Sequence, residues 1–310
     1  MKARNANLLS VARESPARVA VHDRPGWLAL FAQDAVVEDP VGAAAHRRPN
    51  DPTDNPTDDP LGRFYDTFIG PNRIAMNTRL DVVHTQRAEV ARDVIIHTQL
   101  ASGLSIDVHA YLLYELKDER GLLRIARLAA HWELPQMSLQ VLGSGLRGLW
   151  TMTQMTVRML RVQGLGGTLG YMRAMTSGVF GRGRRVIEHL ANALSTHNVA
   201  VLRRLLTDEA GLELSIPPPA RAGAATDHPP QRESAVTTLL QLVPAGSTFV
   251  VSQPRASGFT VAFRFAVSGP DGSPGPHGIG FCDFAPAPIF RRKTARIRRL
   301  RLFVSNDGDA

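Results

Sequence analysis

Apolar and polar positions along this chain repeat in two periods, and the changes of period mark its elements. Residues 5–33 read as helix, broken near Pro16 and Pro25. Trp27, Leu30 and Phe31 sit at i, i+3 and i+4, the spacing of one buried helical face. The period then drops to two. Ala35, Val37 and Asp39 alternate with Val36 and Glu38, which predicts a short strand ending at Pro40 with Asp39 on its apolar face. A carboxylate in that position is costly unless it is paired or used. Residues 47–60 hold four prolines and four aspartates without apolar periodicity, a loop composition. Leu61, Phe64, Tyr65 and Phe68 restore a helical face over 61–69, and four long strands follow at 79–85, 90–100, 104–116 and 122–133. In the last of these Leu128, Ala130 and Trp132 share one face, while Arg127, His131 and Glu133 share the other.

The pattern changes again at Met137. Arg147, Thr151, Gln154, Arg158 and Arg161 form one polar stripe, and Leu146, Leu149, Trp150, Val157 and Leu160 lie away from it. This predicts a basic amphipathic helix, broken at Gly164, Gly166, Gly167 and Gly170. From Val186 the first order recurs: a helix, a short strand at 211–216, a Pro/Ala/Gly loop at 217–230, a helix at 233–242, then strands at 248–253, 259–267, 278–285 and 294–304. Ser195-Thr-His-Asn repeats the character of Ala20-Val-His-Asp. The chain therefore reads as a domain over 1–136, a basic helical linker over 137–185, and a divergent copy of the first domain over 186–306. Helices packed with a curved antiparallel sheet give an α+β class for each copy.

Composition limits the chemistry. At 310 residues there is room for two cores, and the net charge of +8 is uneven. Seven arginines and no carboxylate lie between Met137 and Arg185, and six arginines and one lysine between Arg291 and Arg301. Both read first as solvated basic faces, with an anionic membrane as the other reading; nucleic acid is not favoured, because exposed aromatics are not interleaved. The single cysteine, Cys282, makes no internal disulfide. No stretch has signal-peptide or spanning length, so the expected location is the cytoplasm.

Asp34-Ala-Val-Val-Glu-Asp-Pro-Val-Gly, then Gly62-Arg-Phe-Tyr-Asp-Thr-Phe-Ile, then a sheet ending in Ala130-His-Trp, resembles the ketosteroid isomerase branch of the nuclear transport factor 2-like superfamily, which includes SnoaL-like proteins. The resemblance covers roughly residues 6–135; the second half follows it in element order only. It implies two cone-shaped α+β domains, each a bent sheet around helices with an apolar pocket. It also implies a general base at Asp39 that moves a proton beside a carbonyl, and needs neither metal nor cofactor. Phe31, Phe64, Tyr65, Phe68, Val94, Ile96, Leu112, Leu128, Ala130 and Trp132 are the expected lining. The family's oxyanion hole is a tyrosine plus a protonated aspartate. The tyrosine's place falls near Ser15, and the acid's near Leu112 or Leu113. Tyr111 or Tyr114 is then the candidate donor; the two stand on opposite faces of one strand together with His109.

Other constellations are weaker. His84, His97 and His109 lie on neighbouring strands without fixed mutual facing, so strand histidines outweigh a metal site. The glycines after Gln163 follow no strand and lack a phosphate-loop lysine. Trp150, Met152, Met155 and Met159 read as core or inter-domain packing. In the second copy Leu214 or Ser215 replaces Asp39, which leaves no base there. Two functions stand side by side. One is an isomerase-like protein acting on a small apolar, steroid- or polyketide-type ligand. The other is a non-catalytic ligand carrier or protein scaffold, with a homodimer or an anionic membrane reached through 146–160 as further partners.

Overall fold

A computed structural model describes residues 2–49, 59–215, 232–286 and 295–305. Most of the loop expected at 47–60, and the Pro/Ala/Gly loop at 217–230, lie outside the described residues. The chain divides into two compact units, Met1–Ser177 and Gly178–Ala310. The stretch expected as a linker falls across that division, with residues 137–177 inside the first unit.

In the first unit helix α1 (Lys2–Ala20) runs through Pro16, and α2 (Arg24–Ala29) starts at an Asp23 cap whose carboxylate accepts from the Gly26 amide at 2.9 Å. Strand β1 (Phe31–Glu38) begins four residues earlier than the alternation suggested, so Phe31 is a strand residue and not part of the Trp27 helical face. After β2 (His46–Arg47) come α3 (Pro60–Phe64) and a single π-turn at Tyr65–Ile69. Strands β3 (Arg73–His84), β4 (Glu89–Gln99), β5 (Ser105–Glu119) and β6 (Leu122–His131) make the meander. The sheet order is β2-β1-β6-β5-β4-β3.

The expectation of a purely antiparallel sheet needs one correction. β1 pairs with β6 in parallel, with Val37 opposite Leu128. The whole meander separates these two strands in sequence, and a long connection of that kind permits parallel pairing. Bulges between Thr78 and Leu80, and between Glu115 and Leu116, add twist where the sheet bends over α1.

Two helices complete the unit, α4 (Leu134–Leu142) and α5 (Leu146–Thr176). Of the four glycines expected to break α5, only Gly164 leaves helical geometry, at φ 70°. Gly170 stays helical because it meets a neighbour: a Cβ there would come within 2.5 Å of the Ala44 Cβ, and the Ala44 amide donates to the Gly170 carbonyl at 3.0 Å. Small residues at that contact hold α5 against the chain that follows β1.

The second unit repeats the plan. Helices α6 (Phe180–Ser195) and α7 (Val199–Leu205) match α1 and α2, and β7 (Leu206–Leu214) matches β1. Helix α8 (Arg232–Leu242) precedes β8 (Thr248–Ser257), β9 (Thr260–Ser268), β10 (Pro274–Phe284) and β11 (Ile297–Val304). The order β7-β11-β10-β9-β8 and the parallel β7–β11 pair reproduce the first sheet. So does local geometry: His22 and His197 both take positive φ, 55° and 51°, before the caps Asp23 and Asn198.

Candidate functional site

Asp39 follows β1 directly, and the alternation that put Ala35 and Val37 into the core brings its carboxylate inward as well. The Val41 amide donates to the Ala130 carbonyl at 2.9 Å, which keeps the chain beside β6 and places Asp39 opposite Trp132. The Trp132 indole N–H donates to the carboxylate at 2.5 Å. The acid stands in a cavity of about 140 Å³, together with Phe64, Phe68, Ile96 and Trp132 of the expected lining. Burial pushes its pKa up to about 6, and the Trp132 hydrogen bond only partly opposes this. Its surroundings contribute no cation to that shift. His46, packed on Phe64 at 5.0 Å, is itself pushed down to about 4 by burial, with the Arg63 charge adding to the effect.

The remaining expected lining residues sit elsewhere. Phe31, Tyr65, Val94, Leu112, Leu128 and Ala130 are core residues of the same unit and do not line the cavity. Tyr65 packs on Trp27 at 5.5 Å. Neither tyrosine proposed as a donor reaches the site. Tyr111 is buried on the sheet face away from it, beside the His109 ring at 5.1 Å. Tyr114 points inward but engages Ser15 and Arg92 at the other end of the core. Ser15 also accepts from the Trp27 indole at 3.2 Å, so the position where the family has its tyrosine serves packing here.

The hydroxyl beside Asp39 comes from α5. Tyr171 lines the same cavity, stacks on Phe68 at 5.1 Å, and has its pKa raised by burial and then by the Asp39 charge. Tyr171 lies in the stretch 137–185 expected as a linker, and the structure places it inside the first unit. The signal was available in the sequence: Thr168, Tyr171 and Met175 lie at i, i+3 and i+7, a face that must pack on something. Met152, Met155 and Met159 face inward, and with Met137, Met172 and Met175 they border a smaller adjoining space, but Trp150 points out and is 60% exposed. Thr151, Gln154 and Arg158 complete the cavity wall from the same helix.

Among the described residues no group of three or more histidine, cysteine or acidic side chains is placed to hold a metal. His97 pairs with Asp107 at 2.7 Å, and His109 with Asp93 at 2.6 Å. No helix of the described residues is long and apolar enough to cross a membrane.

Each unit is thus an α+β layer with a mixed sheet. Among solved structures the chain is similar to ketosteroid isomerase-like and nuclear transport factor 2-like proteins. A Mycobacterium tuberculosis protein in complex with estradiol-17beta-hemisuccinate is 26% identical, over 42% of this chain and 96% of that one, with a TM-score of 0.35. The Delta 5-3-ketosteroid isomerase of a Mycobacterium species is 30% identical, over 42% and 95%, with a TM-score of 0.33. The epoxide hydrolase/cyclase-like enzyme SalBIII of salinomycin pyran ring formation is 14% identical, over 41% and 92%, with a TM-score of 0.34. No family model and no curated protein matches the chain. TM-scores of this size carry no argument about function.

Proposed function

We propose that the first unit binds a small apolar carbonyl compound and that Asp39 is the general base that moves a proton at the carbon next to the carbonyl. The observation that carries this reading is a carboxylate on the apolar wall of a cavity, held by one neutral donor and poised near pH 6. A base works best when its pKa lies near the working pH, so that it is ionised yet still basic. In the proposed reaction the carboxylate takes the proton and the electron pair of the C–H bond moves into an enolate. Tyr171 donates to the enolate oxygen. Return of the proton from Asp39 to a different carbon completes an isomerisation. Trp132 fixes the carboxylate, and the methionine wall adapts to the ligand, since unbranched thioether side chains repack readily. That adaptation matters for size: drug-sized ligands usually occupy roughly 300 Å³ or more, so a steroid needs Met152 and Met155 to move aside.

The test is isomerisation of a steroid enone by the wild type and by Asp39→Asn, with ligand binding followed in parallel by titration calorimetry. The expected result is a loss of about two to four orders of magnitude in kcat with binding kept. Equal rates would remove the base and leave a ligand carrier.

A further inference from the structure

Helix α5 has two working faces before its break at Gly164. At about 100° per residue, Gly148, Thr151, Met152, Met155 and Met159 span one arc of roughly 100°, and these are the residues that pack inward or line the cavity. On the same wheel Leu146, Leu149, Trp150, Thr153, Val157 and Leu160 occupy a second arc of about 100°, and every one of them is exposed. Leu146 is 85% exposed and Trp150 60%. Soluble surfaces rarely present apolar residues in such continuity unless something covers them. Arg147, Arg158 and Arg161 flank this stripe on one side, and no carboxylate occurs from Met137 to Arg185 to balance them.

We infer that this outward face of α5 seats the protein on an anionic lipid surface, with the leucines and Trp150 in the acyl boundary and the arginines at the headgroups. An apolar stripe with a basic flank is the pattern of an interfacial helix. A second copy of the chain fits less well, because two such faces in contact would oppose arginine to arginine. The seating also has a use for the site. Gln154 and Arg158 line the cavity and are only half-buried, so the helix that lies on the lipid is also a wall of the binding space. Apolar compounds concentrate in bilayers, and this places their entry at the lipid surface. The docking stands without the Asp39 chemistry; only the supply of ligand rests on it.

The experiment is co-sedimentation of the full chain with phosphatidylcholine vesicles, with and without about a third phosphatidylglycerol, at low salt. Trp27 and Trp132 are buried, so a blue shift of tryptophan emission on binding reports Trp150. Wild type should bind the anionic vesicles at least about tenfold more tightly than the neutral ones, with a blue shift. The exposed-site variant Leu146→Ser/Leu149→Ser/Trp150→Ser should bind anionic vesicles at least about tenfold more weakly, and Arg147→Glu/Arg161→Glu should lose the lipid preference. Asp39→Asn should bind like wild type whether or not it retains activity. Equal binding to both vesicle types, or unchanged binding by the serine variant with native circular dichroism, would overturn the inference. So would failure of wild type to sediment while it forms a dimer that the serine variant does not.

Discussion

The two units share the order of their five long strands, the same parallel pair and the same histidine-led caps, yet at the position where the first turns Asp39 into a cavity the second has Leu214. Register makes the comparison residue by residue. Arg127 of β6 binds Glu38 of β1 at 2.7 Å, and Arg299 of β11 binds Glu213 of β7 at 2.7 Å. Counting one residue on from each glutamate places Leu214 where Asp39 stands. The pairing of β9 with β10 sets Phe265 opposite Gly278, as β4 and β5 set Val94 opposite Ala110. Phe263 occupies the place of Arg92 and crowds Gly280, where a Cβ would come within 2.4 Å of its ring. The duplicated scaffold therefore keeps its outer ion pair and sets phenylalanines where the first unit has Val94 and Arg92. A cavity costs the fold dispersion contacts, and the first unit keeps one beside its acid.

That contrast can be broken at several points. The largest effect belongs to Asp39→Asn, with the loss of kcat given above. Its counterpart Leu214→Asp should yield no isomerisation and should lower the melting temperature, because it puts a charge on a half-buried side chain that packs against the apolar core. Next, Phe265→Ala should cost about 3–5 kcal/mol in denaturant unfolding of the second unit, the usual toll of a large aromatic removed from a core. Tyr171→Phe should reduce kcat by about a hundred- to a thousandfold with stability nearly unchanged, since one oxyanion donor is worth that much elsewhere; wild-type kinetics would remove Tyr171 from the mechanism.

The pH dependence has two parts. Rate should rise with pH through about 6 as Asp39 ionises. Stability runs the other way. The folded acid holds its proton above the unfolded value of 3.8, so the folded state binds more protons between about 4 and 6, and stability falls across that window. At ~1.4 kcal/mol per unit, wild type should lose about 2–3 kcal/mol relative to Asp39→Asn between pH 4 and pH 7. A difference between the two proteins that stays constant with pH would contradict the burial of the acid. The smallest effects are those the units share: Glu38→Gln and Glu213→Gln should each cost up to about 1 kcal/mol, because both ion pairs are partly solvated.

The sequence made β1 readable because a period of two leaves little choice about which side Asp39 faces, and Trp132 followed from the same rule in β6. The repeat was readable because turns and caps recur even where side chains diverge. The parallel pairing was not, since alternation fixes faces and says nothing of strand direction. Nor was Tyr171. The arginines and glycines of 137–185 dominate its composition, while the residues that attach it to the sheet are methionines, threonines and small side chains with no strong pattern. The glycines misled in one further respect. Gly170 is needed for its lack of a side chain against Ala44, a tertiary requirement invisible to any local rule.

The arrival of Tyr171 from beyond the sheet sets an order of events during synthesis. Domains fold from the N-terminus as the chain emerges, and every strand that frames Asp39 leaves the ribosome before α5 does. Until the last helix of the unit packs, the cavity around Asp39 lacks the wall that Thr151, Met155, Arg158 and Tyr171 supply.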